Sequence, residues 1–255
     1  MLVVISPAKK LDMTHYDAVE ASLPSFNSKT EELVKVMQAL SSDDIGHLMG
    51  ISANLADLNR ERFARFGTQE KKPAMYAFAG DTYQGLDAKT LADDDLVWAQ
   101  DHLRILSGLY GLLRPLDEIE PYRLEMGSRL ATDRGKNLYD FWGTELSREL
   151  NKTAIKTDTS LLLNCASKEY FSAIDVKSLE LEVVTPVFLE NAASKPKIVS
   201  FYAKKARGAM ARFVMQNKIT TTQELMAFDA GGYACLLYTS PSPRDLSTSR
   251  MPSSA

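Results

Sequence analysis

Apolar and polar positions follow two rhythms along the chain. Short, nearly unbroken apolar runs stand at 2–6 (LVVIS), 74–80 (AMYAFAG), 103–109 (LRILSGL), 160–166 (SLLLNCA), 181–189 (LEVVTPVFL) and 197–203 (KIVSFYA). Runs of this length without polar alternation predict strands covered on both faces. Residues 27–40, 43–66, 92–103, 138–152 and 203–217 space their apolar positions by three and four, which predicts helices. Asp93, Asp94 and Asp95 fit the start of the third helix, where acidic groups meet the positive end of the dipole. Neighbours in a row splay around a helix, so they make a poor metal cage. No repeat and no Pro/Gly/Ser-rich linker interrupts the chain before about residue 234. The expectation is one α/β (mixed α+β) domain over 1–234, a central mixed sheet surrounded by helices.

Within 43–66 the stretch LMGISANLADL breaks the rhythm. The preceding SSDDIGHLM reads as a short helix capped by Ser41 or Ser42, with Asp43 and Asp44 in its first turn and Ile45, Leu48 and Met49 on one face. Gly50 supplies the left-handed conformation that ends a helix, Ser52 stands where it can cap the next, and Leu55, Leu58, Phe63 and Phe66 keep a helical period. So tight a corner exposes backbone N–H groups at a positive helix end, a setting suited to phosphate. The pattern resembles the helix-hairpin-helix element of DNA-repair proteins, whose turn is usually Gly-hydrophobic-Gly; Ser52 stands at the second glycine. Such an element grips the backbone without reading bases. Arg60, Arg62 and Arg65 follow and add charge. A plain corner in a helical layer is the other reading.

Charge sharpens this picture locally and not globally. With 30 Lys and Arg against 33 Asp and Glu, the 255-residue chain carries a net charge of −3, so attraction to nucleic acid requires a patch. Residues 191–223 contain no Asp or Glu. Taken as a helix, 201–217 puts Ala203, Ala206, Met210, Phe213 and Val214 on one side and Lys204, Lys205, Arg207 and Arg212 on the other. Gly208 lies amid the basic side and costs a helix ~1 kcal/mol against alanine, which the close approach of a protein backbone or a polyphosphate would explain. A solvated amphipathic helix is the alternative.

Other chemistry is sparse. Two cysteines, Cys165 and Cys235, and three histidines, His15, His47 and His102, make neither a disulfide framework nor a metal cage, so no metal and no cofactor is expected. Cys165 closes an apolar strand with no histidine near it in sequence and reads as a buried thiol. Residues 103–127 hold Gly108 and Gly111, then Arg114, Arg123 and Glu125, either lining a cleft or forming a turn with a buried Arg–carboxylate pair. GDTYQGL at 80–86 reads as a turn. No apolar run reaches the length that spans a bilayer, and the start is too soon polar for a signal peptide, so a cytoplasmic location without a membrane partner is expected. Residues 235–255 are rich in Ser and Pro and resemble translated sequencing-adapter read-through, a non-native or disordered tail.

The segments ISPAKKLD, AFAGDTYQGLDA, HLRILSGLYGLLRPLDEIEPYRLEMG, NLYDFWG, NCASKEYF, PVFL and SFYAKKARGAMARF, in this order, closely resemble the bacterial YaaA family of peroxide-stress proteins. The resemblance spans residue 1 to about 233. It implies an unusual mixed α/β fold and a cytoplasmic role in the peroxide response, linked to limiting free intracellular iron. It also implies binding of double-stranded or branched DNA through a helix-hairpin-helix and a basic cleft. Carried over, Gly50, Ile51, Ser52, Ala53 and Asn54 are the hairpin; Lys204, Lys205 and Arg207, with Arg114 and Arg123, are the cleft; Arg60, Arg62 and Arg212 add charge. The family holds an apolar residue where Cys165 stands and continues after Gly232-Tyr233 with a basic final strand that the tail replaces here. No catalytic residue is assigned. The competing expectation is an enzyme acting on a phosphorylated or nucleotide-like small molecule in the same cleft, with Lys204 or Lys205 as clamp and Glu125 or Glu169 as general base.

Overall fold

LVVI, buried on every side, makes the strand around which the protein is built. A computed structural model describes residues 1–15, 20–189, 200–230 and 233–234. Its first half runs β1 (Leu2–Ile5), α1 (Asn27–Gln38), α2 (Ser42–Met49), α3 (Ala53–Ala64), β2 (Lys72–Pro73), α4 (Ala74–Ala77), α5 (Asp81–Leu86), α6 (Asp93–His102), β3 (Leu103–Ser107) and β4 (Gly111–Leu113). There follow β5 (Glu118–Ile119), α7 (Leu138–Trp142), α8 (Glu145–Lys156), β6 (Leu161–Cys165), α9 (Lys168–Phe171), β7 (Glu182–Val184), α10 (Ser200–Asn217), β8 (Asp229–Ala230) and β9 (Tyr233–Ala234).

The main sheet has the order β4-β3-β1-β6-β7. β3, β1, β6 and β7 are parallel, and β4 folds back antiparallel on β3 to close one edge. Ile5 pairs in register with Ile105 on one side and Cys165 on the other. The chain leaves β1 for β3 and later crosses to β6 on β1's other flank, so the winding reverses between β1 and β6. In open α/β sheets ligands settle in the crevice beyond the strand ends at that point. The fold is mixed α/β, as the sequence pattern predicts.

Several element assignments need correcting. Residues 74–80 are not a sheet strand: Pro73 starts the helical turn α4, and Phe78 then makes one isolated bridge to Leu11. All five residues from Ala74 to Phe78 are buried, and a short buried helix shows the same unbroken apolar pattern as a buried strand. GDTYQGL is a helix, α5, and not a turn. The strand expected at 103–109 ends at Ser107, and Gly111 at φ +71° begins β4. Gly143, at φ +49°, divides the helix expected at 138–152 into α7 and α8. Of the strand expected at 197–203, residues 200–203 belong to α10 and the rest lies outside the described residues. On α3 the buried positions are Ala56, Asn59 and Phe63, while Leu55 and Leu58 of the expected apolar face are exposed. Residues 235–255 lie outside the described residues.

Candidate anion-binding cleft

The site grows from the ends of β1 and β6. Ser6 follows β1 and Ser167 follows β6, and the Ser167 amide donates to Ser6 Oγ at 2.8 Å. Ser167 also caps α9 by accepting from the Tyr170 amide. Pro7, Ala8, Lys9 and Lys10 leave β1 along the rim. The opposite wall is the crossing of α5 and α10. A Cβ on Gly208 would overlap the Thr82 carbonyl and stand 2.8 Å from the Leu86 amide nitrogen, and a Cβ on Gly85 would overlap the Lys205 carbonyl. Two glycines, one per helix, therefore let the backbones touch. A protein backbone, not a polyphosphate, is what Gly208 makes room for.

That crossing sets Asp81, Thr82 and Tyr83 on one cavity with Lys204 and Arg207, and its volume is about 480 Å³. Lys9, Lys10, Ser6, Cys165, Ser167, Glu169 and Tyr170 complete the chemistry of its lining. Four cationic side chains thus face two carboxylates. Among the described residues the side chains of Lys10, Lys204, Arg207 and Asp81 form no ion pair or hydrogen bond. Lys9 lies 3.3 Å from Glu125 Oε1, an oxygen that also accepts from Arg123 Nε at 2.9 Å. Glu169 Oε1 accepts from the Gly127 amide at 3.0 Å. Tyr83 donates to the Ser6 carbonyl at 3.2 Å. Burial raises the pKa of Tyr83 and Tyr170 and pushes the Cys165 thiol up to about 12, against a smaller opposing effect of Arg207. These groups stay neutral at pH 7, so charge in the cleft comes from the lysines, arginine and carboxylates.

The corner between α2 and α3 is at the surface. Gly50 adopts φ 60°, ψ 47°, and Ser41, not Ser42, caps α2 in a reciprocal box with Asp44. Gly50, Ser52, Ala53 and Asn54 are exposed and Ile51 is half-buried. Ser52 stands at the cap position of α3 with φ −65° and makes no side-chain cap bond. No left-handed residue is needed there, so a serine in place of the second glycine costs no strain. The first-turn amides of α3 lack intrahelical acceptors and belong to exposed residues. None of residues 50–54 lines the cleft. Arg60 is exposed, Arg62 half-buried, and Arg65 lies 3.6 Å from Glu61.

Three of the expected arginines are engaged elsewhere. Arg114 grips the fully buried Asp117 at 2.8 Å and donates to the Leu23 carbonyl at 3.0 Å. Arg123 holds Glu125 at 2.9 Å. Arg212 donates to the carbonyls of Leu86 and Asp87 at 3.0 and 2.6 Å, pinning α10 to the end of α5. Lys205 is exposed but is not part of the lining. Lys9, Lys10 and Asp81 are site residues that the sequence reading passed over. The available signal was a KK pair separated by three residues from the end of a buried first strand. Among the described residues no group of three or more His, Cys, Asp or Glu is placed to hold a metal ion, and no helix is long and apolar enough to cross a membrane.

The motifs that meet at this cleft, SPAKK, GDTYQG, NCASKEY and AKKARG, lie far apart in the chain, and the same chain matches the family model described as peroxide stress protein YaaA over residues 1–236. The chain belongs to that family. A UPF0246 protein of Ruegeria pomeroyi is 56% identical over 237 residues, covering 91% of this chain and 92% of the relative. A UPF0246 protein of Dinoroseobacter shibae is 56% identical over 237 residues, covering 91% and 89%. One from Roseobacter denitrificans is 55% identical over 240 residues, covering 92% of each.

Proposed function

We propose that this protein serves the peroxide-stress response in the cytoplasm by binding the phosphate backbone of DNA, double-stranded or branched, without reading its sequence. The observation that carries the reading is the convergence of Lys9, Lys10, Lys204 and Arg207 from two distant segments on one cleft, with three of the four lacking an internal counter-ion among the described residues. Unpaired cations gathered at a crevice are paid for by an anionic partner, because like charges held together repel until one arrives. The exposed amides at the α2–α3 corner, acting as a helix-hairpin-helix, supply a second phosphate contact, and Arg60 and Arg62 follow it. The reading keeps the link to limiting intracellular free iron as an association and assigns the protein itself no iron site.

Fluorescence anisotropy of a labelled duplex tests it. The Lys204→Ala, Lys205→Ala, Arg207→Ala triple variant is expected to bind at least tenfold more weakly than the wild type, and equal affinity would remove α10 from the interface.

A second reading is an enzyme for a phosphorylated small molecule, favoured by a cavity of about 480 Å³, a size typical of small-ligand sites. Its general base would be Asp81. Glu125 is tied to Arg123 and Lys9, and Glu169 to the Gly127 amide, whereas Asp81 is free among the described residues.

A further inference from the structure

A separate cavity, of about 420 Å³, shares no lining residue with the cleft. It lies between α1 and the chain that follows α3, and Pro24, Thr30, Val34, Tyr110 and Glu120 are its buried lining. Glu120 follows β5 and is only 3% exposed. Its Oε2 accepts from the Gly67 amide at 2.8 Å and from the Gln69 amide and side-chain Nε2, each at 3.3 Å. One oxygen is therefore enough to fasten the loop after α3. The other, Oε1, accepts from no donor among the described residues and, unlike Glu125 Oε2, is not sealed off, so it opens on the cavity that Glu120 lines. The Glu120 amide donates to the Tyr110 hydroxyl at 3.0 Å, which holds that ring beside the carboxylate, and the Phe66 ring stands 6.2 Å from it between centroids.

These groups define an occupant. A carboxylate oxygen taken largely out of water and given no donor is costly, and a charged donor recovers the most. Aromatic faces attract the same kind of head group. Val34 and Pro24 offer apolar surface to a stem. The rim carries Glu31 and Glu118 against Lys35 and Lys71, and none of the four forms an ion pair among the described residues. Three carboxylates against two lysines, with Glu120 the one that lies deep, favour a cation. A bare metal ion does not fit, since no group of three or more His, Cys, Asp or Glu among the described residues is placed to hold one. The volume is that of a small-molecule site.

We propose that this cavity binds a small organic cation, an ammonium or guanidinium group on an aliphatic stem, with the head on Glu120 and the stem along Val34, Phe66 and Tyr110. The site stands apart from the cleft and does not depend on the DNA-binding reading.

Isothermal titration of the full chain with agmatine, 1-pentanol and pentanoate tests it. Agmatine is expected to bind saturably and roughly tenfold or more tightly than either of the others, the scale of a hydrogen bond to a charged group. Amide NMR shifts induced by agmatine are expected at Thr30, Val34, Phe66 and Gly67. Glu120→Gln keeps an oxygen for the Gly67 and Gln69 amides; it should weaken agmatine binding by about tenfold or more and leave duplex affinity unchanged. Agmatine bound no more tightly than 1-pentanol or pentanoate, or shifts confined to other residues, overturns the inference and leaves the DNA reading standing. A capped Gly-Arg-Gly peptide that binds more tightly than agmatine also overturns it, and assigns the cavity to an arginine of a partner protein. The wild-type measurements decide the matter whether or not the variant folds.

Discussion

Cys165 sits on the wall of the cleft, but burial pushes its thiol up to about 12, and the Arg207 guanidinium offsets that only in part. A raised thiol pKa keeps the thiolate, the form that peroxide oxidises, scarce at pH 7. Cys165 is therefore expected to react slowly with peroxide. Exposure of the native protein to hydrogen peroxide followed by peptide mass spectrometry should return Cys165 unmodified; a sulfenic acid there would contradict the assignment. The inert thiol was readable from a cysteine at the end of an apolar strand. The free carboxylate of Asp81 was not, because nothing in GDTYQG distinguishes a solvated turn aspartate from one aimed into a cavity. Only the packing of α10 decides that.

At the scale of elements, the α5–α10 crossing is the device that builds the site. Gly208 and Gly85 bring two backbones into contact, and Arg212 locks the far end onto the carbonyls of Leu86 and Asp87. Gly208→Ala forces its new methyl into the Thr82 carbonyl and should destabilise the protein by about 3 kcal/mol, the upper range for overpacking a close contact. Gly50→Ala meets open space and bears only the cost of a left-handed alanine, roughly 1–2 kcal/mol. Urea denaturation of the two variants checks this order, and a Gly208→Ala protein as stable as the wild type would mean that the helices can separate freely. The mid-helix glycine announced a close approach in the sequence. What approached was invisible, because α5 itself was hidden: six residues with two turn-formers carry no period long enough to betray a helix. The corner at Gly50 was legible for the opposite reason, since a capping serine, acidic first turn and terminal glycine all act within one helix.

At the scale of the molecule, the buried strands β1, β3 and β6 were evident as apolar runs, and a mixed sheet followed. Their order was not evident, because the reversal between β1 and β6 depends on long-range pairing that no local pattern encodes. That reversal gathers Lys9 and Lys10 with Lys204 and Arg207, some two hundred residues on, at one crevice. It also separates the cations into those that serve the fold and those left for a ligand. Arg114, Arg123 and Arg212 answer carboxylates and carbonyls of their own chain. Lys10, Lys204 and Arg207 do not, among the described residues. With a net charge of −3, electrostatic attraction for a polyanion must come from local gatherings such as this one.

The most direct test is the salt dependence of duplex affinity, measured for the wild type and the Lys204→Ala, Lys205→Ala, Arg207→Ala variant. Each phosphate neutralised contributes about 0.9 to the slope of log K against log salt, so the variant's slope should be shallower by roughly 2–3. Identical slopes for the two proteins would show that these cations meet no phosphate, and the cleft would not be where DNA is held.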